Sequence, residues 1–209
     1  NRNEIAGNGI DDDGNGYIDD VRGWSVGSNT DAIDATNSSA NHSTHTAGIA
    51  AAIGENGKGI AGVCWGAKVM AVDYSSTQEA NVVAAYDYVR EMRLLHNATL
   101  GAKGAFVVAT NSSFGVNNGM PANFPIWCAM YDSMGAVGIL SSGATSNSNI
   151  NVDEFGDTPT ACPSKWLMTV NSTNREDGKH PSGYGKTTID LGAPGQGVYS
   201  TYPNNIYQA

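Results

Sequence analysis

The side chains best placed to do chemistry are two histidines three residues apart, in His42-Ser43-Thr44-His45-Thr46-Ala47-Gly48, followed by Ile49-Ala50-Ala51-Ala52-Ile53. The stretch reads as a loop turning into a helix of small residues, which puts His42 near a helix N-terminus. The positive end-field there favours the neutral imidazole that a general base needs. Zinc fits less well, because metalloprotease helices carry histidines at i and i+4 with a glutamate between them. The plain alternative is a satisfied surface histidine, and the residue alone does not decide between them.

A second group is acidic: Asp11-Asp12-Asp13-Gly14-Asn15-Gly16-Tyr17-Ile18-Asp19-Asp20. Oxygens at Asp11, Asp13 and Asn15, glycine at the sixth position and the Tyr17 carbonyl at the seventh follow the opening of an EF-hand loop. The twelfth position is Arg22, so Asp19 or Asp20 must close the shell. Calcium (Ca2+) is the cofactor this spacing suits. Crowded aspartates repel one another without a cation. A solvated acidic turn is the alternative.

Strand-like and helix-like stretches alternate around these groups. Lys68–Asp73, Ala105–Thr110, Val137–Ser142 and Trp166–Asn171 read as buried strands, and Glu79–Asn97 and Pro125–Met134 as helices. Alternation of this kind predicts an α/β fold, three layers deep (α/β/α), with a mostly parallel sheet covered on both faces. Sites in such sheets gather beyond the carboxyl ends of the strands. A length of 209 residues suffices for one sizeable core, so residues 1–209 are read as one domain.

The net charge of -9 argues against nucleic acid and anionic lipid as partners, and no run approaches the roughly 20 apolar residues of a membrane span. Cys64, Cys128 and Cys162 are widely spaced with no CxxC pair, which reads as buried thiols; one disulfide with a spare thiol stays open.

Five segments in order resemble the catalytic domain of the subtilisin-like serine proteases (subtilases, peptidase family S8). His42 to Gly48 is similar to the HGTHVAG box, and Gly57 to Val63 with Trp65 to NGxGVAGVAW. Asn111-Ser112-Ser113-Phe114-Gly115 resembles NMSWG, Leu140 to Gly143 the strand entering the oxyanion loop, and Asp190 to Gly195 DLAAPG. Acidic loops like Asp11–Asp20 also occur in this family.

The resemblance implies a secreted, calcium-stabilised endopeptidase that acts as a monomer on extended peptide or protein substrates. His42 would be the base of a Ser-His-Asp triad and His45 a structural histidine. Peptides would lie along Ser113, Phe114 and Gly115, with the opposite wall at Ser142, Gly143 and Ala144. The triad aspartate is expected upstream of Asn1, as is a secretory signal, and the serine beyond Ala209, so this chain alone should hydrolyse nothing. Two positions depart from the family pattern. Ala144 replaces the asparagine that donates to the oxyanion, and Ser43 replaces a glycine beside the histidine. The departures keep a second reading open: a pseudoprotease that binds peptide or calcium and cleaves nothing.

Overall fold

The computed structural model describes residues 1, 3–33 and 38–209, with only the backbone at Ser38 and Ser39. In chain order the elements are β1 (Gly23–Ser25), α1 (Ser38–Ala51), β2 (Ala71–Asp73), α2 (Glu79–Ala98), β3 (Ala109–Ser112), β4 (Val116–Asn117), α3 (Pro125–Ala136), β5 (Leu140–Ala144), α4 (Val152–Phe155), β6 (Asp157–Thr158), β7 (Leu167–Thr173), β8 (Leu191–Pro194), β9 (Ser200–Tyr202) and β10 (Ile206–Gln208). They form two compact units, one of Asn1–Asp31 with Val72–Gln196, the other of Ala32–Ala71 with Gly197–Ala209.

The larger unit carries the expected α/β core. Strands β3, β5, β7 and β8 lie side by side in that order, all parallel. The register places Ser112 opposite Gly143 and Gly143 opposite Thr169, while Ser141 faces Leu167. Residues alternate between faces along a strand, so Ser112, Ser141, Gly143, Leu167 and Thr169 share one face, and all are buried. Helices α2 and α3 lie on this side. Their core residues Val82, Tyr88, Met92, Trp127, Tyr131 and Met134 are fully buried. The other face exposes Leu140 (40%), Met168 (37%) and Leu191 (40%).

Polar chemistry locks the helices in place. The Trp127 indole N–H donates to the Tyr131 hydroxyl (2.9 Å), which is bonded to Tyr86 (2.9 Å), and Tyr86 is bonded in turn to Ser112 Oγ at the end of β3. Burial pushes the hydroxyl pKa of Tyr86 and Tyr131 up, so both stay protonated. Helix α3 opens with Pro125 at a tolerated first-turn position, and the Glu79 carboxylate on α2 caps it by accepting the N–H groups of Ile126 (2.8 Å) and Trp127 (2.9 Å). Cys128 on α3 and Cys162 form a disulfide, while Cys64 is free and exposed. The three cysteines are therefore not buried thiols; α3 and the segment after β6 bring two of them together in a way their spacing could not reveal.

In the smaller unit, α1 packs on the antiparallel hairpin of β9 and β10. The chain returns at Gly62–Cys64 to close the end of α1. The N–H groups of Gly62, Val63 and Cys64 donate to the carbonyls of Ala52, Ile49 and Ala50 at 2.9 Å each. Gly62 permits this approach, since a Cβ there would lie 2.4 Å from the Ala52 nitrogen. The carbonyls that a helix end leaves unpaired are thus met by backbone.

Candidate active site and acidic loop

His42 is the fifth residue of α1 as described, and its side chain is exposed. Its box is therefore wholly helical and does not turn from loop to helix. Four residues of α1 as described precede His42, so it does not stand at the loop-to-helix junction where an end-field was expected to act on it. His45, three residues on, is fully engaged. Its Nε2 lies between the carbonyl oxygens of Val198 (3.0 Å) and Gln208 (3.1 Å), so this nitrogen must carry the proton and donate to both. Beside it, the Ser200 hydroxyl donates to the His45 carbonyl (2.7 Å) and that of Thr201 to the Thr44 carbonyl (2.8 Å). These bonds fix α1 against the hairpin and fix the face that carries His42.

In the larger unit, the carboxyl ends of β3 and β5 are adjacent, so Ser113–Gly115, just past β3, follow on beside Ser142–Ala144, the last residues of β5. The Phe114 ring stacks on Tyr74 with centroids 4.0 Å apart and leans on Trp127, so its side chain is spent on packing and only its backbone is left for the wall. A Cβ on Gly115 would lie 2.4 Å from the Thr158 oxygen and 3.1 Å from Pro159, and one on Gly143 would lie 3.2 Å from Pro159. Both glycines thus let the Thr158–Pro159 segment close in as a shared floor. Ala144 ends β5 with its methyl group exposed, and no side-chain donor stands at that position. Asn147 and Asn149 lie in the exposed loop beyond it.

The acidic loop gathers a different set from the one expected. Oxygens of Asp11, Asp13 and Glu4 all lie within 4.8 Å of one another. Asp11 is wrapped by backbone, accepting the N–H groups of Gly14 (2.7 Å), Asn15 (3.0 Å) and Gly16 (2.8 Å). Burial pushes its carboxyl up, but these bonds outweigh that and hold it below the usual carboxylate range. Asp13 and Glu4 are buried, at 2% and 9% exposure, and each keeps one oxygen, Asp13 Oδ2 and Glu4 Oε2, that no described group reaches. Glu4 escaped the sequence reading because folding, not spacing, brings it to the loop; its only signal was a lone carboxylate seven residues before Asp11.

Asp19 and Asp20 do not close this shell. A left-handed backbone at Asp19 (φ 61°) turns the chain away, and its carboxylate accepts the N–H groups of Asn8 (3.0 Å) and Gly9 (3.1 Å). Asp20 is fully buried, accepting from Asn1, from Tyr88 (3.0 Å) and from Asn15 Nδ2 (3.1 Å), and burial raises its pKa to about 6. Asn15 Oδ1 accepts the Tyr17 N–H (2.7 Å), and the Tyr17 ring meets Trp24 and Tyr88 edge-on.

The Peptidase_S8 family, described as the subtilase family, matches residues 2–209. The chain belongs to the subtilase family. Thermitase of Thermoactinomyces vulgaris is 30% identical over 193 residues, covering 90% of this chain and 60% of thermitase. Subtilisin-like protease 1 of Plasmodium vivax is 25% identical over 238 residues, covering 96% of this chain and 32% of that protein. Among solved structures, a protease of Pseudoalteromonas arctica aligns with a TM-score of 0.64 at 24% identity, over 80% of this chain and 52% of its own. Sphericase aligns at 0.59 and 24%, over 80% and 56%. This subtilase chain therefore spans 60% or less of these relatives.

Proposed function

We propose that this subtilase chain contributes the histidine and the substrate cleft of a serine endopeptidase that cleaves extended peptides. The observation that carries the reading is the junction of the two walls: Ser112 lies beside Gly143 in register, and Gly115 and Gly143 both close on Pro159. A peptide strand added along Ser113–Gly115 would find backbone donors and acceptors on one side and the end of β5 on the other. His42 is the proposed general base, taking the proton of a serine hydroxyl as that oxygen attacks the peptide carbonyl. His45 has the structural role: both carbonyls on its Nε2 are used in fixing the helix.

No aspartate or serine in the chain matches the family's other two triad boxes, so the chain by itself is expected to hydrolyse no peptide or ester. A serine-directed fluorophosphonate should leave it unlabelled, and stoichiometric labelling of any serine here would overturn the assignment. Ala144 supports the rival reading of a scaffold that binds peptide without cleaving it. In a chain that carries all three triad members, Ala144→Asn should raise kcat with KM little changed, because the new donor would act on the developing oxyanion. An unchanged kcat would mean that another group already serves that oxygen.

The acidic loop is proposed as a calcium site formed by Asp11, Asp13 and Glu4. Their oxygens are no farther apart than twice a calcium–oxygen bond of about 2.4 Å. The buried free oxygens of Asp13 and Glu4 are the acceptors a cation would satisfy, and calcium bound there would supply stability, not chemistry. The Cys128–Cys162 disulfide supports a secreted setting, where such bonds persist.

A further inference from the structure

Beneath the cleft lies a buried carboxylate that the peptidase reading leaves without a role. Asp157, on β6, is 2% exposed. Its Oδ2 accepts the Ser146 N–H (2.7 Å) from the segment leaving β5 and the Thr160 hydroxyl (2.7 Å) from beyond Pro159. Its backbone carbonyl accepts the Ala161 N–H (2.6 Å), and β6 pairs it with Asn117 of β4, two residues past the Gly115 wall. Ser146 is held from its other side as well, because the Gly183 N–H donates to its carbonyl (2.7 Å). Asp157 thus joins the three segments that make the cleft: its Oδ2 ties the wall after β5 to Thr160, just past the Thr158–Pro159 floor, and its backbone pairs with the wall running into β4. A buried carboxylate is costly unless it is fully bonded, and charge-assisted bonds to N–H and hydroxyl are about twice as strong as neutral ones. Such a group in a cleft lining is either a positioning element or a burden.

We propose that Asp157 is a positioning residue of the peptide cleft, holding the segment Ala144–Ser146 at a fixed spacing from the Pro159 floor and the Gly115 wall. It acts through Ser146 and Thr160 and touches no reacting atom. The proposal rests on the reading of these walls as a peptide cleft. Three features mark Asp157: its Oδ2 reaches across to the segment leaving β5 and to Thr160 beyond Pro159, those segments are the cleft's own, and both donors share one oxygen. A variant that keeps that oxygen should therefore keep the geometry.

The test compares Asp157→Ala, Asp157→Asn and Thr160→Val in this chain. One readout is hydrogen exchange at the Ser146 amide against the Thr169 amide, which donates to a different carboxylate, Asp190 Oδ2, at 2.7 Å. The other is the affinity for a dye-labelled (Ala-Leu)3 peptide. Asp157→Ala should speed exchange at Ser146 by roughly tenfold to hundredfold relative to Thr169, the loss of one charge-assisted bond, and weaken the peptide at least about threefold. Asp157→Asn keeps an acceptor oxygen and should restore both readouts to near wild type, with Thr160→Val intermediate. Proportional acceleration at Ser146 and Thr169 would mean general destabilisation and overturn the proposal. So would wild-type affinity in an Asp157→Ala chain whose Ser146 exchanges freely. If the wild type takes up no peptide, the cleft reading fails, and the exchange comparison alone decides whether Asp157 holds the segment. If Asp157→Ala does not fold, Thr160→Val carries the same comparison.

Discussion

In the acidic loop, Glu4 and Asp13 each bury a carboxylate oxygen that no described group meets, whereas the carboxylates around β6 are enclosed by donors from the chain itself. Asp153 accepts the N–H groups of Lys186 (2.7 Å), Thr187 (3.1 Å) and Thr188 (2.9 Å) and the Thr188 hydroxyl. Asp157 takes Ser146 and Thr160. Both regions concentrate negative charge, but only one supplies its own counterpart. On the proposed calcium reading, the buried bare oxygens are acceptors that a cation would meet, whereas a carboxylate wrapped by N–H and O–H groups is complete as folded. The difference separates a binding site from an internal brace more sharply than a count of acids does.

The largest expected effect concerns the self-sufficient side, which is also tied covalently. Replacing Cys128 and Cys162 by alanine frees a loop of sequence separation 34, and on the chain-entropy model this costs about 3 to 4 kcal/mol. A urea melt with and without calcium should show the same loss in both conditions. A loss that appeared only without calcium would mean that the two regions are not independent.

Next comes the cation itself. With free calcium at about 100 times its Kd the chain should gain roughly 2.7 kcal/mol, or several degrees of melting midpoint at about 2–4 °C per kcal/mol. Asp13→Ala should lose most of this gain. Glu4→Gln should lose part of it and yet melt no lower than wild type in EDTA, because glutamine keeps an oxygen to accept the Asp19 N–H (3.0 Å) while removing the charge that repels Asp11 and Asp13. Equal wild-type midpoints with and without calcium would erase the contrast between the regions, provided that metal analysis shows the chelator removed the ion.

The smallest effect is in pH dependence, where the two braces have opposite signs. The Thr188 hydroxyl and then the N–H groups of residues 186–188 hold the Asp153 carboxyl below the usual range, so its contribution is present above the unfolded value near pH 4 and is lost as pH falls. Burial pushes Asp157 up despite its two donors, so its contribution is fully present below that unfolded value and is lost as pH rises through the folded one. Urea midpoints followed from about pH 2 to pH 7 should therefore fall less on the acid side for Asp153→Asn than for wild type. For Asp157→Asn they should fall less as pH rises above about 4. Parallel profiles for the two variants would remove the distinction.

Local pattern made much of the fold legible. The helix expected at Glu79–Asn97 forms at Glu79–Ala98, and the one expected from Pro125 to Met134 runs two residues further, because apolar spacing and an N-terminal proline are local signals. The strand expected at Trp166–Asn171 forms at Leu167–Thr173. Strand β3 was misplaced. Phe106 and Val108 look like buried strand residues but are 63% and 55% exposed, and pairing begins only at Ala109, where Leu140 of β5 stands opposite. Register is a property of two segments, so neither alone reveals it. The hairpin of β9 and β10 was missed although Asn204 and Asn205 (φ 67° and 59°) are the residue type that tolerates such a turn. In the site, Asp11 and Asp13 followed from the spacing of their loop, and the two walls only from the family resemblance. Glu4, Asp157 and the disulfide depend on chain segments that meet only in the folded state.

The exposed face of the parallel sheet bears on how the chain behaves in concentrated solution. Leu140, Met168 and Leu191 form an adhesive side, while the net charge of -9 keeps copies apart by long-range repulsion. That repulsion fades within a Debye length, about 10 Å at 0.1 M salt and about 3 Å at 1 M. Colloidal stability is therefore set by ionic strength: light scattering should record dispersed particles at low salt and growing attraction as salt rises. Leu140→Lys, which replaces an apolar side chain on that face with a hydrated one, should weaken the attraction seen at high salt without touching the fold's buried face.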